Sequence, residues 1–286
     1  MENKAYIYGI IAVFLWSTVA SAFKISLKYL NFLQLLFYSS IFSILVLFSI
    51  LIFQNKLSML KYYSRRDYFY SIFLGFLNPF LYYIVLFKAY SLLPAQQAQP
   101  LNYTWPIMLV LFSILLLKRK IKWMSIIALI ISFVGVFIIS TEGNFLIKSN
   151  LEGIFLALSS SIIWALFWIY NMKDNRDVVT KLFLNFLFGF IFISIFMVIS
   201  SKIIFSIYGI IGALYVGLFE MGITFIVWLK ALELSKNVAK ISNLIYFSPF
   251  ISLIFIHLIV GEKILLQTIL GLILIVGGII MQRYSG

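Results

Sequence analysis

Glu220 is the residue best placed for chemistry, because it is the one acidic residue well inside an apolar run of the chain. A carboxylate buried in such a run costs several kcal/mol unless it is paired or protonated. Gly209, Ala213 and Gly217 precede it at intervals of four, a pattern typical of a helix-packing face. We therefore expect Glu220 to point into a helix bundle. It would act there as a proton or cation-coupling site, as a partner for a substrate ammonium, or as a buried acid that hydrogen-bonds neighbouring helices.

Polar, aromatic and helix-breaking residues in other apolar runs could line a site for a small organic molecule. Tyrosine and tryptophan rings can stack on an aromatic ligand or hold an ammonium, and proline frees a backbone carbonyl for other partners. The residues expected to line such a site, besides Glu220, are Trp16, Ser17, Asn78, Tyr82, Gln99, Asn102, Tyr103, Trp164, Trp168, Asn243 and Tyr246. The alternative for the tryptophans is a lipid-facing or interfacial position, and for Asn102, Tyr103, Asn243 and Tyr246 it is a position at the membrane interface.

The usual combinations of catalytic or metal-binding residues are missing from the sequence. It has no cysteine and a single histidine, His257, which excludes a thiolate nucleophile and a Cys-based metal site. No H-E-x-x-H, G-x-S-x-G or G-x-x-x-x-G-K-[ST] pattern occurs. We therefore expect no enzyme activity, no metal, no cofactor and no ATP hydrolysis by this chain. His257 is expected to be a hydrogen-bonded packing residue.

The composition places these residues in a membrane. Hydrophobic residues make up 63% of the 286 residues and charged residues 11%, whereas soluble domains have about 45–50% and about 25%. The net charge of +13 does not indicate nucleic-acid binding, because Lys and Arg cluster in the short gaps between apolar runs. The lipid bilayer is therefore the expected surrounding, and nucleic acid is not an expected partner.

Ten apolar runs are long enough to cross a bilayer as helices, which requires roughly 20 residues each. They cover residues 5–24, 32–53, 67–89, 96–117, 121–140, 151–170, 180–200, 207–230, 238–260 and 264–282. The sequence therefore predicts an all-α polytopic membrane protein with ten transmembrane helices. The first run is interpreted as a span rather than as a cleavable signal peptide.

Lys and Arg are distributed unevenly between the two sets of gaps. With the N-terminus inside, the inner gaps hold 16 of the 22 Lys and Arg residues, Lys181 among them, and the outer gaps hold 6. Because positive residues are retained on the cytoplasmic side, both termini are predicted to be cytoplasmic. Gln96 and Lys240, near the ends of their runs, are expected at the membrane interface rather than in a binding site.

The two halves of the chain resemble each other at an offset of 142–148 residues. The matched pairs are Trp16 with Trp164, Pro106 with Pro249, Phe87–Tyr90 with Leu229–Leu232, and Ala128, Ser132 and Gly135 with Gly271, Ile275 and Gly278. Each half holds five spans, an odd number, so the second half enters the membrane upside down. The predicted domains are residues 1–145 and 146–286, two five-helix repeats of inverted topology, the construction on which many alternating-access transporters are built.

Several short motifs occur along the chain, and their order and spacing together identify a protein family more specifically than any single motif does. They are Leu15–Thr18, Asn102–Pro106, Lys230–Leu232, Ser248–Pro249, Gly261–Lys263 and Gly277–Gly278. Through these motifs, which are spread over the whole chain, the sequence resembles the EamA-type ten-helix branch of the drug/metabolite transporter superfamily. The first two motifs are most similar to bacterial exporters of aromatic and other amino acids. The family often has a Glu after span four where this chain has Arg119, which weakens any role for a symmetric acid pair with Glu262.

The resemblance implies a secondary transporter of the bacterial cytoplasmic (inner) membrane. It would export a small organic metabolite, an amino acid or a related compound, through a central cavity between two rocking halves, as a monomer or homodimer. A small-molecule channel or membrane scaffold is the alternative, although a channel would need rings of charge or carbonyls around a pore. An intramembrane enzyme is the third possibility and lacks the residues that hydrolysis requires.

Overall fold

The computed structural model describes residues 2–117, 123–142, 150–200, 203–235, 241 and 243–285. Across these ranges the chain forms helices and short connections, with no β-strand. Helices are the expected outcome for apolar runs in lipid, because each helix satisfies its backbone hydrogen bonds within its own segment. The all-α membrane class predicted from the sequence is thereby confirmed.

The described residues of the first half form seven α-helices. They are α1 (Glu2–Ser26), α2 (Phe32–Phe53), α3 (Arg65–Gly75), α4 (Tyr82–Leu92), α5 (Ala95–Asn102), α6 (Trp105–Leu117) and α7 (Trp123–Thr141). A 3₁₀ helix, Leu57–Tyr62, follows α2, and a π-helical turn, Phe76–Leu81, joins α3 to α4. The predicted fourth span is divided into α5 and α6, because the backbone leaves the helix at Tyr103 and Thr104.

The second half contains a similar series of long and broken helices. They are α8 (Leu151–Met172), α9 (Val178–Ser200), α10 (Ile207–Phe219), α11 (Ile223–Leu234), α12 (Ser248–Phe255) and α13 (Leu266–Ser285). A 3₁₀ helix, Leu244–Phe247, precedes α12, and a π-helical turn, Ile256–Val260, follows it. Residues 220–222 interrupt the backbone between α10 and α11.

Six stretches of helix among the described residues are long and apolar enough to cross a membrane. They are Asn3–Ser26, Phe32–Phe53, Arg65–Leu92, Leu151–Met172, Val178–Ser200 and Ile207–Leu234. Shorter apolar helices cover Ile126–Thr141, Leu244–Val260 and Leu266–Met281. This composition is that of an integral membrane protein, whereas the count of ten crossings stays a prediction.

Polar side chains fix where several of these helices begin. The side chain of Asn31 accepts from the backbone of Gln34, whose side chain accepts in turn from the Asn31 backbone. Ser64 and Asp67 make the same reciprocal pair at the start of α3. Such capping boxes satisfy backbone donors that the first helical turn leaves free, so the connections between neighbouring helices stay short.

The helices of the two halves make matching contacts. α1 packs against α10, α11 and α12, and α8 packs against α3, α4, α5 and α6. α2 contacts α10 as α9 contacts α3. Two further contacts, α2 with α9 and α7 with α13, join helices that occupy corresponding places in the two halves.

α7 and α13 approach closely through small residues. A Cβ added to Gly135 would lie 2.5 Å from the carbonyl oxygen of Gly271, and one added to Gly271 would lie 2.7 Å from the carbonyl oxygen of Gly135. A Cβ on Gly278 would lie 2.6 Å from the Ala128 carbonyl oxygen. Small residues let two helix backbones touch in this way, and the contact is reciprocal between the two helices.

Candidate functional site

Five aromatic rings meet where helices of the two halves come together. Phe225 of α11 lies between Trp16 of α1 and Trp164 of α8, with ring centroids 5.6 Å and 5.9 Å away. Trp164 stacks on Tyr82 of α4 at 4.4 Å and meets Trp168 edge-to-face at 5.8 Å. These five residues, the aromatic cluster, therefore bridge α1, α4, α8 and α11.

A chain of polar groups extends from this cluster to the break between α5 and α6. The hydroxyl of Tyr82 donates to Oδ1 of Asn102 across 3.4 Å, and Nδ2 of Asn102 donates to Oγ of Ser160 at 2.8 Å. Thr104 donates its hydroxyl to the Leu101 carbonyl at 2.7 Å and lies 3.0 Å from the Ser161 hydroxyl. Asn102 and Thr104, which flank the break between α5 and α6, thus face α8.

A second polar group joins α1, α5 and α12. Ser17 donates to the hydroxyl of Ser248 at 3.2 Å, and Ser248 also shares a side-chain hydrogen bond with Tyr103. Ser252 donates its hydroxyl to Oε1 of Gln99. Ser248, Ser252 and Ser17 are fully buried. Since α12 belongs to the second half and α5 to the first, these bonds also connect the halves.

Glu220 stands at the break between α10 and α11, beside the aromatic cluster. Its side chain is 8% exposed, and its Oε1 accepts a hydrogen bond from the hydroxyl of Tyr83 at 3.1 Å. The ring of Tyr83 packs against that of Tyr82 with centroids 4.7 Å apart. Among the residues that the structure describes, no Lys or Arg lies within ion-pair distance of Glu220.

The backbone around Glu220 is braced by hydroxyl groups. Ser43 of α2 donates to the carbonyl oxygen of Met221 at 2.9 Å, and Thr224 donates to the carbonyl of Phe219. A Cβ on Gly217 would lie 2.5 Å from the Ser39 carbonyl oxygen, so the small-residue stripe packs against α2. These contacts satisfy carbonyls that the interrupted helix leaves free, as a membrane interior requires.

Three residues predicted for the site, Asn78, Asn243 and Tyr246, belong neither to the aromatic cluster nor to the hydrogen-bonded groups above. Asn78 is fully buried in the turn between α3 and α4, and neither of its polar side-chain atoms has a partner in the described structure. The Oδ1 atom of Asn243 is likewise unpartnered, and Tyr246 is partly buried against the core. Lys240 and Arg119 lie outside the described residues.

One end of the bundle is tied by the loop between the Ile256–Val260 turn and α13. The carboxylate of Glu262 accepts from the backbone N–H groups of Ala95 and Gln96, at 2.8 Å and 3.0 Å. The Gln96 side chain donates to the Lys263 carbonyl oxygen at 2.8 Å and is only 6% exposed. Gln96 therefore joins the halves from a buried position. His257 is exposed, with Nδ1 2.9 Å from the Glu262 carbonyl oxygen.

The sequence interpretation missed Phe225, which is central to the cluster, and the role of Tyr83. The offset of 142 residues that matches Phe87 with Leu229 also matches Tyr83 with Phe225. Applying the repeat to every aromatic residue would therefore have paired these two. Ser160 and Ser161 carried no such signal, because serines are frequent in membrane helices that pack closely.

The arrangement offers aromatic faces, neutral hydrogen-bonding groups and one acid. Aromatic faces attract ammonium groups and other rings, and Glu220 adds a negative charge or a proton acceptor. Within the described part of the chain, no group of three His, Cys, Asp or Glu could hold a metal ion. A small cavity of about 30 Å³ adjoins the cluster at Trp168 and Phe225. The site is therefore suited to binding an organic molecule.

Comparison with protein families matches the chain to the EamA-like transporter family over residues 3–141 and 151–283. It is 28% identical over 183 residues to an uncharacterized transporter of Clostridium kluyveri, covering 61% of this chain and 58% of that protein's length. Uncharacterized transporter YvbV of Bacillus subtilis is 29% identical over 212 residues, 71% of this chain and 68% of its own. An uncharacterized transporter of Archaeoglobus fulgidus is 23% identical over 280 residues, 96% and 97% of the two chains.

A crystal structure of another protein has a similar fold. It superposes with a TM-score of 0.68 over 99% of both chains, at 19% sequence identity. At this identity the likeness concerns the fold alone.

Proposed function

We propose that this chain, which belongs to the EamA-like transporter family, is a secondary transporter that exports an amino acid or a related small metabolite by alternating access. Family membership and the transporters similar to it support a membrane transport role. The aromatic cluster is the observation that carries the proposal further, because it gathers ligand-binding side chains from both halves at one place beside Glu220.

The proposed architecture has ten crossings in two inverted halves, residues 1–145 and 146–286, with both termini in the bacterial cytoplasm. Each broken stretch, such as Arg65–Leu92 or Ile207–Leu234, counts as one crossing. The matching contacts of α1 and α8 support the symmetry, as do the reciprocal glycines of α7 and α13. If the two modules are related by a two-fold axis, a contact made in one half is repeated in the other, and a helix near the axis contacts its own counterpart.

Ties between the halves at both ends support a rocking mechanism. At one end, Glu262 holds the start of α5. At the other, Nζ of Lys56 lies 2.6 Å from Oδ2 of Asp177, and the hydroxyl of Tyr70 donates to the Tyr170 carbonyl oxygen at 2.8 Å. Alternating access requires these two sets of contacts to break in turn, so that the aromatic cluster is reached from one side at a time.

The energy source in this proposal is a gradient or an exchange reaction. The sequence has no phosphate-binding loop of the G-x-x-x-x-G-K-[ST] type. Glu220 is the candidate coupling group, because it is buried beside the cluster without a cationic partner in the described structure. Binding of a proton, or of a substrate ammonium, would remove the cost of its uncompensated charge.

Flux measurements in liposomes test the proposal. The purified chain is reconstituted and a panel of labelled amino acids and related metabolites is followed in counterflow. We expect saturable flux of at least one compound, reduced at least about tenfold by Phe225→Ala because the rings lose their central contact. Phe133→Ala is the matched control, since Phe133 lies on α7 and is 49% exposed.

Two results would contradict the proposal. Correctly folded protein that transports no compound of the panel would remove the transporter function. Voltage-clamp currents far above carrier turnover would instead assign a channel.

A further inference from the structure

The connection between α2 and α3 carries a group of exposed cations. It consists of the 3₁₀ helix Leu57–Tyr62 and the first residues of α3, and residues 57–66 are called the basic loop below. Its cations, Lys61, Arg65 and Arg66, all have exposed side chains. Within the part of the chain that the structure describes, none of the three forms an ion pair. The transport mechanism above uses none of them.

The acid next to the loop, Asp67, offsets only part of this charge. Its Oδ2 atom accepts from the backbone N–H and from the hydroxyl of Ser64, at 2.8 Å and 2.6 Å, so that it caps α3. Three cations against one acid leave two positive charges in excess over residues 57–67. Four residues separate Lys61 from Arg65, which is at most about 14 Å along an extended chain. The side chains of the loop can therefore reach one anion together.

The two arginines occupy a place that disfavours cations within α3. They are the first two residues of the helix, where the helix dipole is positive. Their charges therefore work against the stability of α3 instead of adding to it. An anion bound from outside the helix would offset the repulsion, which favours a role in binding for Arg65 and Arg66.

The basic loop lies at a membrane surface. α2 and the stretch Arg65–Leu92 are each long and apolar enough to cross a bilayer, so the residues between them lie at the depth of the lipid head groups. Large exposed rings flank the cations: Phe53 is 85% exposed, Tyr62 86% and Phe69 71%. Aromatic residues are enriched at this depth of a bilayer. Positive charge and aromatic rings thus occur together where a lipid carries its phosphate.

The other side of the loop is fixed to the helix bundle. Leu60 and Tyr63 pack against the core, and the hydroxyl of Tyr68 donates to the Leu60 carbonyl oxygen at 2.9 Å. The Tyr63 hydroxyl is hydrogen-bonded to that of Thr180 on α9. A surface whose backbone is already ordered loses less conformational entropy when a ligand binds. The backbone that carries the three cations is ordered in this way before any lipid is bound.

We propose that the basic loop binds the phosphate of an anionic phospholipid, with phosphatidylglycerol as the type, through Lys61, Arg65 and Arg66. Arginine binds phosphate through two parallel N–H donors. Tyr62 and Phe69 lie beside the glycerol and the upper acyl chains of the lipid. The proposed topology places the loop on the cytoplasmic side, where anionic lipids give the membrane surface a negative charge. The inference goes beyond the proposed function, because a lipid site requires no transport.

The first test lets two lipids compete for the unmodified protein. The full chain, purified in a neutral detergent, is mixed with equal amounts of phosphatidylglycerol and phosphatidylcholine of the same acyl chains. Native mass spectrometry then measures the ratio of the two bound lipids. We expect phosphatidylglycerol to exceed phosphatidylcholine at least about tenfold, and less so as the salt concentration rises. Equal binding of the two lipids, or no binding of phosphatidylglycerol, would overturn the proposal.

The second test removes the charges. The triple variant Lys61→Gln, Arg65→Gln and Arg66→Gln is expected to lose the preference, and each single variant to lower it about threefold to fivefold. Lys28→Gln is the matched control, because Lys28 is an exposed lysine in the connection before α2, at the other end of that helix. An unchanged preference in the triple variant would overturn the proposal. If the triple variant does not fold, an unchanged preference in all three single variants would do so.

Soluble phosphates and liposome flux separate the remaining outcomes. Inorganic phosphate or glycerol 3-phosphate that displaces phosphatidylglycerol at equal concentration would assign a site for soluble anions and overturn the lipid assignment. Flux from a protein without lipid preference would leave the transporter in place and remove the lipid site. Lipid preference in a protein without flux would support the lipid site and remove the transporter.

Discussion

The helix break at Asn78 and the helix break at Glu220 occupy corresponding places in the two halves, 142 residues apart, yet they differ in chemistry. Asn78 leaves helical geometry with φ −148° and ψ 117°, and its neutral amide has no partner among the described residues. Glu220 carries an acid that accepts a hydrogen bond from Tyr83. The comparison teaches that the halves interrupt their helices at matched positions with different side chains, one neutral and one acidic. The backbone geometry also differs, since Glu220 has φ −92° and ψ −49°.

Glycines seal both breaks in the same way. Gly75, three residues before Asn78, packs against the α9 backbone, and a Cβ on Gly75 would lie 2.4 Å from the Asn185 carbonyl oxygen. Gly217 packs against the α2 backbone at Ser39, just before Glu220. The close glycine contact before each break is therefore shared by the halves, whereas the acidic side chain is present in only one of the two breaks.

The largest effect is expected from enlarging the sealing glycines. Gly75→Leu and Gly217→Leu should each destabilise the protein by about 1–3 kcal/mol or more, because the added side chain meets backbone atoms that cannot move aside. Thermal unfolding in detergent measures both. Gly277→Leu serves as the control, since nothing lies within 4 Å of a Cβ there. If only one of the two glycine variants kept its stability, the two helix breaks would not be equivalent in their packing.

The next effect concerns the acid that distinguishes the two breaks. Glu220→Gln keeps the shape and the hydrogen bond from Tyr83 while it removes the charge. We expect substrate binding to persist and the dependence of flux on pH, measured between about pH 6 and about pH 8, to disappear. If flux through Glu220→Gln kept the pH dependence of the original protein, Glu220 would have a packing role rather than a coupling role.

A smaller difference is expected between the two matched tryptophans. Trp164 is 8% exposed and contacts Tyr82, Trp168 and Phe225, whereas Trp16 is partly exposed and contacts Phe225 and Trp228. Trp164→Ala should therefore reduce flux more than Trp16→Ala, by about threefold to tenfold. Trp123→Ala, at a ring 73% exposed, is the control. Equal losses of flux in Trp164→Ala and Trp16→Ala would show that the two tryptophans contribute equally to the site.

The smallest effect concerns the short loops that follow α1 and α8. The loop after α8 carries the pair of Asp174 with Arg176, whereas residues 27–31 after α1 contain no acid. Burial raises the pKa of the Asp174 carboxyl, but hydrogen bonds and the charge from Arg176 outweigh it and lower the pKa below its usual value of 3.8. A lowered pKa adds stability that is complete above the unfolded value and is lost as pH falls through the folded one.

Thermal unfolding as a function of pH checks that effect. The original protein should lose stability below about pH 4, and Asp174→Asn should lose less over the same interval while starting from a slightly lower stability at neutral pH. Parallel curves for the two proteins would show that the pair contributes nothing measurable to stability.

The sequence predicts the helical class well, because apolar runs in lipid have few alternatives to a helix. The burial of Glu220 also follows from its depth and from the glycine stripe before it. The choice between Tyr82 and Tyr83 could not be predicted, since a helical period does not tell which face meets which neighbour. The structure uses both: Tyr82 contacts the aromatic cluster, and Tyr83 reaches Glu220.

Residues near helix ends were the least predictable. Lys181 counted as one of many positive charges in the inner gaps, yet the fold buries it against the end of α8. Gln96, expected at the membrane interface, is buried in a tie between the halves. In both cases the environment depends on a distant loop or helix end, and no local pattern records that contact.

Cross-linking the halves at either end of the helix bundle tests the rocking mechanism most directly. Because the sequence has no cysteine, the introduced cysteines are the only thiols that can react. One variant carries Lys56→Cys with Asp177→Cys, the other Ala95→Cys with Glu262→Cys. Each is closed with a short reducible reagent that joins two thiols, and flux is measured in liposomes before closure, after it and after reduction. Alternating access predicts that closing either end alone stops flux and that reduction restores it. Undiminished flux with one end closed would contradict the mechanism.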